Sequence, residues 1–188
     1  MAYAPVPEFS RAFTADQLTA QAGTVLTGEA DAAECAALAA RFNLPAVRSV
    51  RFALQAEPTG AGGWRITGSV EAGLTQTCVV TLEPVETEVA EAVDRRFVPR
   101  DQLPPLPPGA ERELDAATAD GPDGYDDSID LGEIAAEAVA LAIDPYPRHP
   151  DAEFASLIAS PAGAEPLTDE AARPFAGLAA LKARQQEQ

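Results

Sequence analysis

Trp64–Leu82, WRITGSVEAGLTQTCVVTL, carries the alternation that decides the fold. Trp64, Ile66, Val70, Ala72, Leu74, Cys78, Val80 and Leu82 hold even positions; Arg65, Thr67, Ser69, Glu71, Thr75, Thr77 and Thr81 hold odd ones. Successive side chains of a strand point to opposite faces, so this spacing predicts one long strand with a single apolar face. Gln76 is the polar exception on that face and Val79 the apolar exception on the other. Gly68 and Gly73 predict bulges or bends that let so long a strand coil. Glu83-Pro84 makes a turn, and Val85, Val89, Val93 and Phe97 line one face of a return strand over Val85–Val98. Upstream, Val50, Phe52, Leu54 and Ala56 alternate with Ser49, Arg51, Ala53 and Gln55. The turn-rich Pro58–Gly63 joins that strand to the long one as a hairpin. Three successive antiparallel strands thus form the centre, and Phe9–Thr14 and Thr24–Gly28 read as short additional strands.

Two stretches change to helical spacing. In Asp31–Phe42, Cys35, Leu38 and Phe42 share a face, and Asp31 with Glu34 has the spacing of a capping box. Asn43 suits a left-handed C-terminal position, and Pro45 ends the element. In Ile129–Pro150, IDLGEIAAEAVALAIDPYPRHP, Asp130 stands at the N-cap with Glu133 three residues on, so this pair too resembles a capping box. Leu131, Ile134, Ala135, Ala138, Leu141 and Ala142 form the apolar face, while Glu133 and Glu137 lie on the other side. Asp144-Pro145 and then Pro147 stop the helix. Burying Leu131, Ile134 and Leu141 is expected to contribute about 1.5–3 kcal/mol each. The expected class is α+β: a twisted antiparallel sheet, open or closing toward a barrel, covered by two main helices.

The rest is poor in core-forming residues. Arg100–Asp127 contains LPPLPPG and ATADGPDGYDD and reads as a disordered acidic, proline-rich excursion. Residues 1–150 are expected to form one domain and 151–188 a flexible tail. In that tail Phe175, Leu178 and Leu181 of RPFAGLAALKAR recur at helical spacing, predicting a short C-terminal helix that is marginal alone in water.

Thirty acidic residues oppose 13 basic ones, for a net charge of −17. Residues 101–188 contribute −13 of it. Nucleic-acid binding rests on many lysine and arginine contacts, so most of this surface repels phosphate; the charge either attracts a basic protein or serves only to keep the chain soluble. No run reaches the length of apolar sequence that a membrane span needs. The first residues, MAYAPVPEFSRAF, lack a basic segment followed by an apolar one, and two cysteines make no disulfide framework. The expectation is a cytoplasmic, reduced protein that does not engage membranes. It is expected to be a monomer, since no long apolar stripe is left after the core is assigned.

Candidate chemistry is sparse. A zinc site needs about four ligands, and the chain holds Cys35, Cys78 and His149. Cys78 faces the same way as Leu74, so it reads as a small buried hydrophobe. Nothing in the spacing pairs either cysteine with His149 as a nucleophile and base. Phosphate-loop and nucleophile-elbow patterns are absent from the sequence. No catalytic residue, metal site or cofactor is therefore expected. Arg51 and Arg65 lie on the polar faces of neighbouring strands; the favoured reading is cross-strand pairing with carboxylates rather than a nucleic-acid surface.

Three blocks of the sequence resemble the YceD-like large ribosomal RNA subunit accumulation proteins, in the form found in alphaproteobacteria. They are TQTCVVTLEPVETEV (Thr75–Val89), IDLGEIAAEAVALAIDPYPRHPDAEF (Ile129–Phe154) and RPFAGLAALK (Arg173–Lys182). Many members carry C-x-x-C-L in the first block; here Cys78 and Leu82 match and Thr81 replaces the second cysteine. The resemblance implies a non-enzymatic, cytoplasmic factor in 23S ribosomal RNA synthesis or accumulation. It marks Cys78, Leu82, Pro84, Asp130, Leu131, Leu141 and Pro145 as motif positions with structural roles. The candidate interaction residues are Tyr146, Pro147, Arg148, Glu133 and Glu137, with Arg51 and Arg65 on the sheet. The expected partner is a basic ribosomal or ribosome-assembly protein. Direct ribosomal RNA binding through the arginine-bearing sheet face is the alternative, and a hydrolase is a third, weaker reading.

Overall fold

A computed structural model describes residues 8–103 and 121–152. The tail helix expected at 174–184 and the middle of the acidic excursion lie outside these residues. The elements in chain order are β1 (Ala12–Thr14), α1 (Ala15–Ala20), β2 (Val25–Glu29), α2 (Ala32–Phe42), β3 (Ala46–Gly60), β4 (Gly63–Thr77) and β5 (Pro84–Pro99). A 3-10 turn at Arg100–Gln102, β6 (Asp123–Tyr125), β7 (Ser128–Asp130) and α3 (Leu131–Ala142) complete them.

The sheet is built on the alternation. β3 and β4 form a hairpin closed by Ala61 and Gly62, both at positive φ, as a two-residue turn matching the strand twist requires. Val50, Phe52, Leu54, Ala56, Trp64, Ile66, Val70, Ala72 and Leu74 are all buried on one face. Gly73 lies opposite a register shift between Val47 and Ser49, a bulge, whereas the register runs unbroken through Gly68. Gly68 is instead a bend: its φ is +146°, and a Cβ there would sit 2.1 Å from the Ala53 carbonyl oxygen. The spatial order is β2-β3-β4-β5-β6, an open sheet that does not close into a barrel.

The structure corrects several expectations. β4 ends at Thr77, not at Leu82; Cys78–Leu82 folds as a turn, with Leu82 at φ +62° and 76% exposed. The run 78-80-82 mimics strand alternation, but Cys78 N donates to the Glu83 carbonyl and Leu82 N to the Cys78 carbonyl, which closes the chain on itself. Leu141 is 87% exposed and not part of the core. The buried face of α3 runs through Leu131, Ile134, Ala135, Ala136 and Val139, so the helix is rotated away from Leu141 and small residues let it lie close to the sheet. The excursion is not wholly irregular. β6 pairs parallel with Phe97–Pro99, and its Tyr125 is buried with its hydroxyl donating to the Gly62 carbonyl at 2.6 Å. One buried aromatic anchors a segment whose composition is otherwise polar. Phe9 precedes the first strand and is fully buried, tilted against Phe52 at 5.9 Å between ring centroids. β1 pairs with β7 in a separate two-stranded sheet, and α1 was not predicted.

Candidate interaction site

The helix α3 and its exit gather most of the singled-out residues. Asp130 caps the helix, its Oδ1 accepting from Gly132 N and Glu133 N at 2.9 and 3.1 Å. The same carboxylate accepts from Arg11 N at 2.7 Å and Ser10 Oγ at 2.6 Å. Gly132 is needed where the N-terminal segment crosses the helix: a Cβ would lie 2.0 Å from the Phe9 carbonyl oxygen. Glu133 does not complete a capping box. It forms a two-point pair with Arg41 of α2 at 2.5 and 2.9 Å, which raises the Arg41 pKa through that hydrogen bond. Glu137 reaches Arg95 at 3.1 Å. Both glutamates are therefore half-buried partners of arginines rather than free charges.

Beyond the helix, Asp144–Pro150 docks on the turn after β4. Gln76, the polar exception of the strand, is 3% exposed, and its amide donates to the Asp144 carbonyl at 2.8 Å. Its Oε1 has no partner among the described residues. Val79 N donates to the Pro147 carbonyl at 2.9 Å. Cys78 Sγ accepts from Val80 N and Thr81 N at 3.4 Å and from His149 N at 3.3 Å. Hydrogen bonds from the Thr81 hydroxyl first, then from the Thr81 and His149 amides, hold the thiol down to about 6. Cys78 is buried, yet it stands apart from the contiguous apolar cluster. It is buried as expected, and its sulfur is in addition an acceptor for three amides. Burial pushes the Cys35 thiol the other way, upward. The contact of His149 with Cys78 is through its main-chain N–H, while its ring Nδ1 accepts from Asp151 N at 3.2 Å.

This docking sorts the exit residues. Pro147 is buried and serves the packing, whereas Tyr146 (71% exposed) and Arg148 project outward on either side of it. On the open sheet face the arginines are spent on carboxylates. Arg51 pairs with Glu71, Arg65 with Asp94 at 2.7 Å, and Arg48 with both Glu86 and Glu88 at 2.6 Å. Among the described residues no cluster of three or more His, Cys, Asp and Glu side chains is arranged to hold a metal ion. Sequence reasoning missed a groove between β5 and α3, lined by Glu91 and Leu141 among others. The signal was available: Glu91 and Arg95 interrupt the apolar register of Val85, Val89, Val93 and Phe97.

The model of the large ribosomal RNA subunit accumulation protein YceD matches residues 66–182, more than half of the chain. The chain belongs to the YceD family. That match begins within β4 and takes in the Cys78 turn, β5 and α3, and the Asp144–Pro150 loop ties the end of β4 and the turn to α3. The YceD family name ties the protein to accumulation of large-subunit ribosomal RNA. No curated protein and no solved structure matches the chain. No helix among the described residues is long and apolar enough to cross a membrane.

Proposed function

We infer that the protein supports large-subunit ribosomal RNA accumulation as a non-enzymatic, cytoplasmic factor that binds a basic ribosomal or ribosome-assembly protein. The observation that carries this reading is the fate of the arginines. Of the nine in the described residues, seven lie in ion pairs with carboxylates: Arg11, Arg41, Arg48, Arg51, Arg65, Arg95 and Arg100. Three of these face two carboxylates each: Arg41 with Glu8 and Glu133, Arg48 with Glu86 and Glu88, Arg95 with Asp123 and Glu137. Each exposed pair is worth only about 0.2–1 kcal/mol, so the argument concerns the field and not stability. A phosphate approaching any of these arginines meets its carboxylates as well, and the net charge of −17 repels it from further away. A lysine- and arginine-rich protein meets the opposite field and is drawn in faster.

Crosslinking in cells followed by purification tests the reading. The expected catch is one basic ribosomal or assembly protein, crosslinked directly. Direct, salt-sensitive binding to 23S ribosomal RNA fragments that is weakened by Arg51→Ala and Arg65→Ala would overturn it. So would RNA turnover by the purified protein.

A further inference from the structure

Among the described residues, one edge of β5 is largely without a neighbour. β4 pairs with β5 from Thr77↔Pro84 to Trp64↔Phe97, but on the other side β6 pairs only with Phe97–Pro99. Along Pro84–Arg96 that edge offers main-chain N–H and C=O groups that no described strand takes up. A groove of about 250 Å³ runs along it. One wall is five consecutive residues, Glu91–Arg95. Neighbouring side chains of a strand point to opposite faces, so consecutive residues line one groove only along the strand's edge. The other wall is Ile134, Ala138, Leu141 and Ala142, spaced i, i+4, i+7 and i+8 on α3 and therefore one stripe.

An open strand edge facing an apolar helix stripe is the arrangement in which an extended segment adds as a further strand. Its main chain bonds the edge, and alternate side chains enter the space beside the helix. β6 already adds to this edge in parallel at its far end. Charge selects the occupant. Glu91 makes no ion pair among the described residues, whereas the other charged residues of the groove are paired, Asp94 with Arg65 and Arg95 with Asp123 and Glu137. Residues 104–120, which precede β6, carry Glu111, Glu113, Asp115 and Asp120 against Arg112 and are repelled by such an edge. We propose that the β5–α3 groove binds an extended basic segment of the partner protein as an added strand, with an apolar side chain seated on Ala138 and Leu141 and a lysine or arginine opposite Glu91. This rests on the reading that the partner is a basic protein and names where that protein is held.

The test uses the full-length protein and two synthetic peptides, one alternating valine with lysine and one alternating valine with glutamate. Amide hydrogen exchange is followed during titration. The lysine peptide is expected to bind and to slow exchange within Val85–Arg96. Glu91→Lys and Leu141→Asp each weaken it about tenfold with unchanged circular dichroism, because both side chains face solvent. The glutamate peptide does not bind. Equal affinity of both variants, or protection confined to other elements, overturns the proposal. So do β5 edge amides already as protected as those of β4 in the free protein, because a segment of the chain itself then fills the groove. Crosslinking in cells with the double variant separates the two levels of inference. A basic ribosomal or assembly protein caught by wild type alone supports both. The same protein caught equally by wild type and variant removes the groove and leaves the functional reading standing; no such protein caught by either removes the functional reading.

Discussion

Asp31 and Asp130 begin α2 and α3 with the same pair of hydrogen bonds, to the amides two and three residues on. From there the two helices differ. Glu34 turns back to Asp31 N at 2.9 Å and completes the capping box, and Asn43 at φ +53° lets Leu44 N return to the Ala39 carbonyl. The terminal backbone groups of α2 are therefore met within its own stretch of chain, while the Glu34 carboxylate also accepts from Arg11 at 2.7 Å. In α3 the residue three after the cap, Glu133, leaves for Arg41, while Asp130 also holds Ser10 and Arg11. The far end has no left-handed residue: Ile143 is extended, and the following carbonyls are met by Gln76 and Val79. Terminal helix groups are costly to leave unpaired, and they can be paired locally or by distant chain. α2 uses the first route; α3 adds the second, its first amide, Leu131 N, donating to the Arg11 carbonyl, and with Glu133 on Arg41 and its exit loop on Gln76 and Val79 it braces the N-terminal segment, α2 and the turn after β4 at once. Two of the blocks that resemble the family meet here: Gln76, Cys78 and Val79 of the first bond Asp144, His149 and Pro147 of the second.

The most severe way to break the difference is Gly132→Ala. The added methyl would meet the Phe9 carbonyl carbon at 2.9 Å and its oxygen at 2.0 Å, both backbone atoms with no rotamer escape. The expected loss is about 3 kcal/mol or more, at the upper end for overpacking. Exchange should rise at Arg11, whose amide bonds Asp130, as well as in α3. A denaturation midpoint within error of wild type would show that the N-terminal segment does not clamp the helix.

The two caps give a matched pair. Asp31→Ala removes one cap and should cost about 1 kcal/mol. Asp130→Ala removes a cap of the same kind and also strips the half-buried Ser10 hydroxyl and Arg11 amide of their acceptor, so about 2–3 kcal/mol is expected. Urea titration of both variants measures the gap. Equal costs would mean that the long-range bonds of Asp130 add nothing.

This contrast also explains what could be read from the sequence. The alternation of β3, β4 and β5 and the box of α2 were legible because a strand face and a local cap are written in neighbouring residues. The Asp130 cap was legible for the same reason. What Glu133 would bond was not, because Arg41 lies on another element and local spacing favours the box. Leu141 was assigned to the core because it is large and in helical register. Only the approach of Phe9 to Gly132, and of small Ala135 and Ala136 to the sheet, rotates the helix so that it faces out. Cys78 failed as a strand residue for a different reason. Its alternation with Val80 and Leu82 is accidental to a turn, and its true partners include an amide 71 residues away. Tyr146 and Arg148 remain exposed candidates for contact, as the proline exit suggested, while Pro147 between them is consumed by packing.

The far end of the brace is tested through its dependence on pH. Cys78 is held at about 6 in the folded protein, below its ordinary value, while the unfolded thiol titrates near ~8.5. A group whose folded pKa is lowered contributes stability that is complete above the unfolded pKa and is lost as pH falls through the folded one. Wild-type stability should therefore climb between about pH 6 and about pH 8.5 relative to Cys78→Ser, whose hydroxyl still accepts hydrogen bonds but does not ionise in this range. The serine keeps an acceptor for the three amides, so the two proteins should lie closest at the acid end and separate as pH rises. Cys35→Ser provides the reference on α2: burial raises that thiol, so its thiolate does not support the fold, and its removal should not flatten the rise. Denaturation midpoints at pH 6 and pH 8.5 for the three proteins decide the matter. Parallel pH profiles for wild type and Cys78→Ser would mean that the sulfur binds its amides as a neutral thiol and that the exit loop is held by Gln76 and Pro147 without a charge.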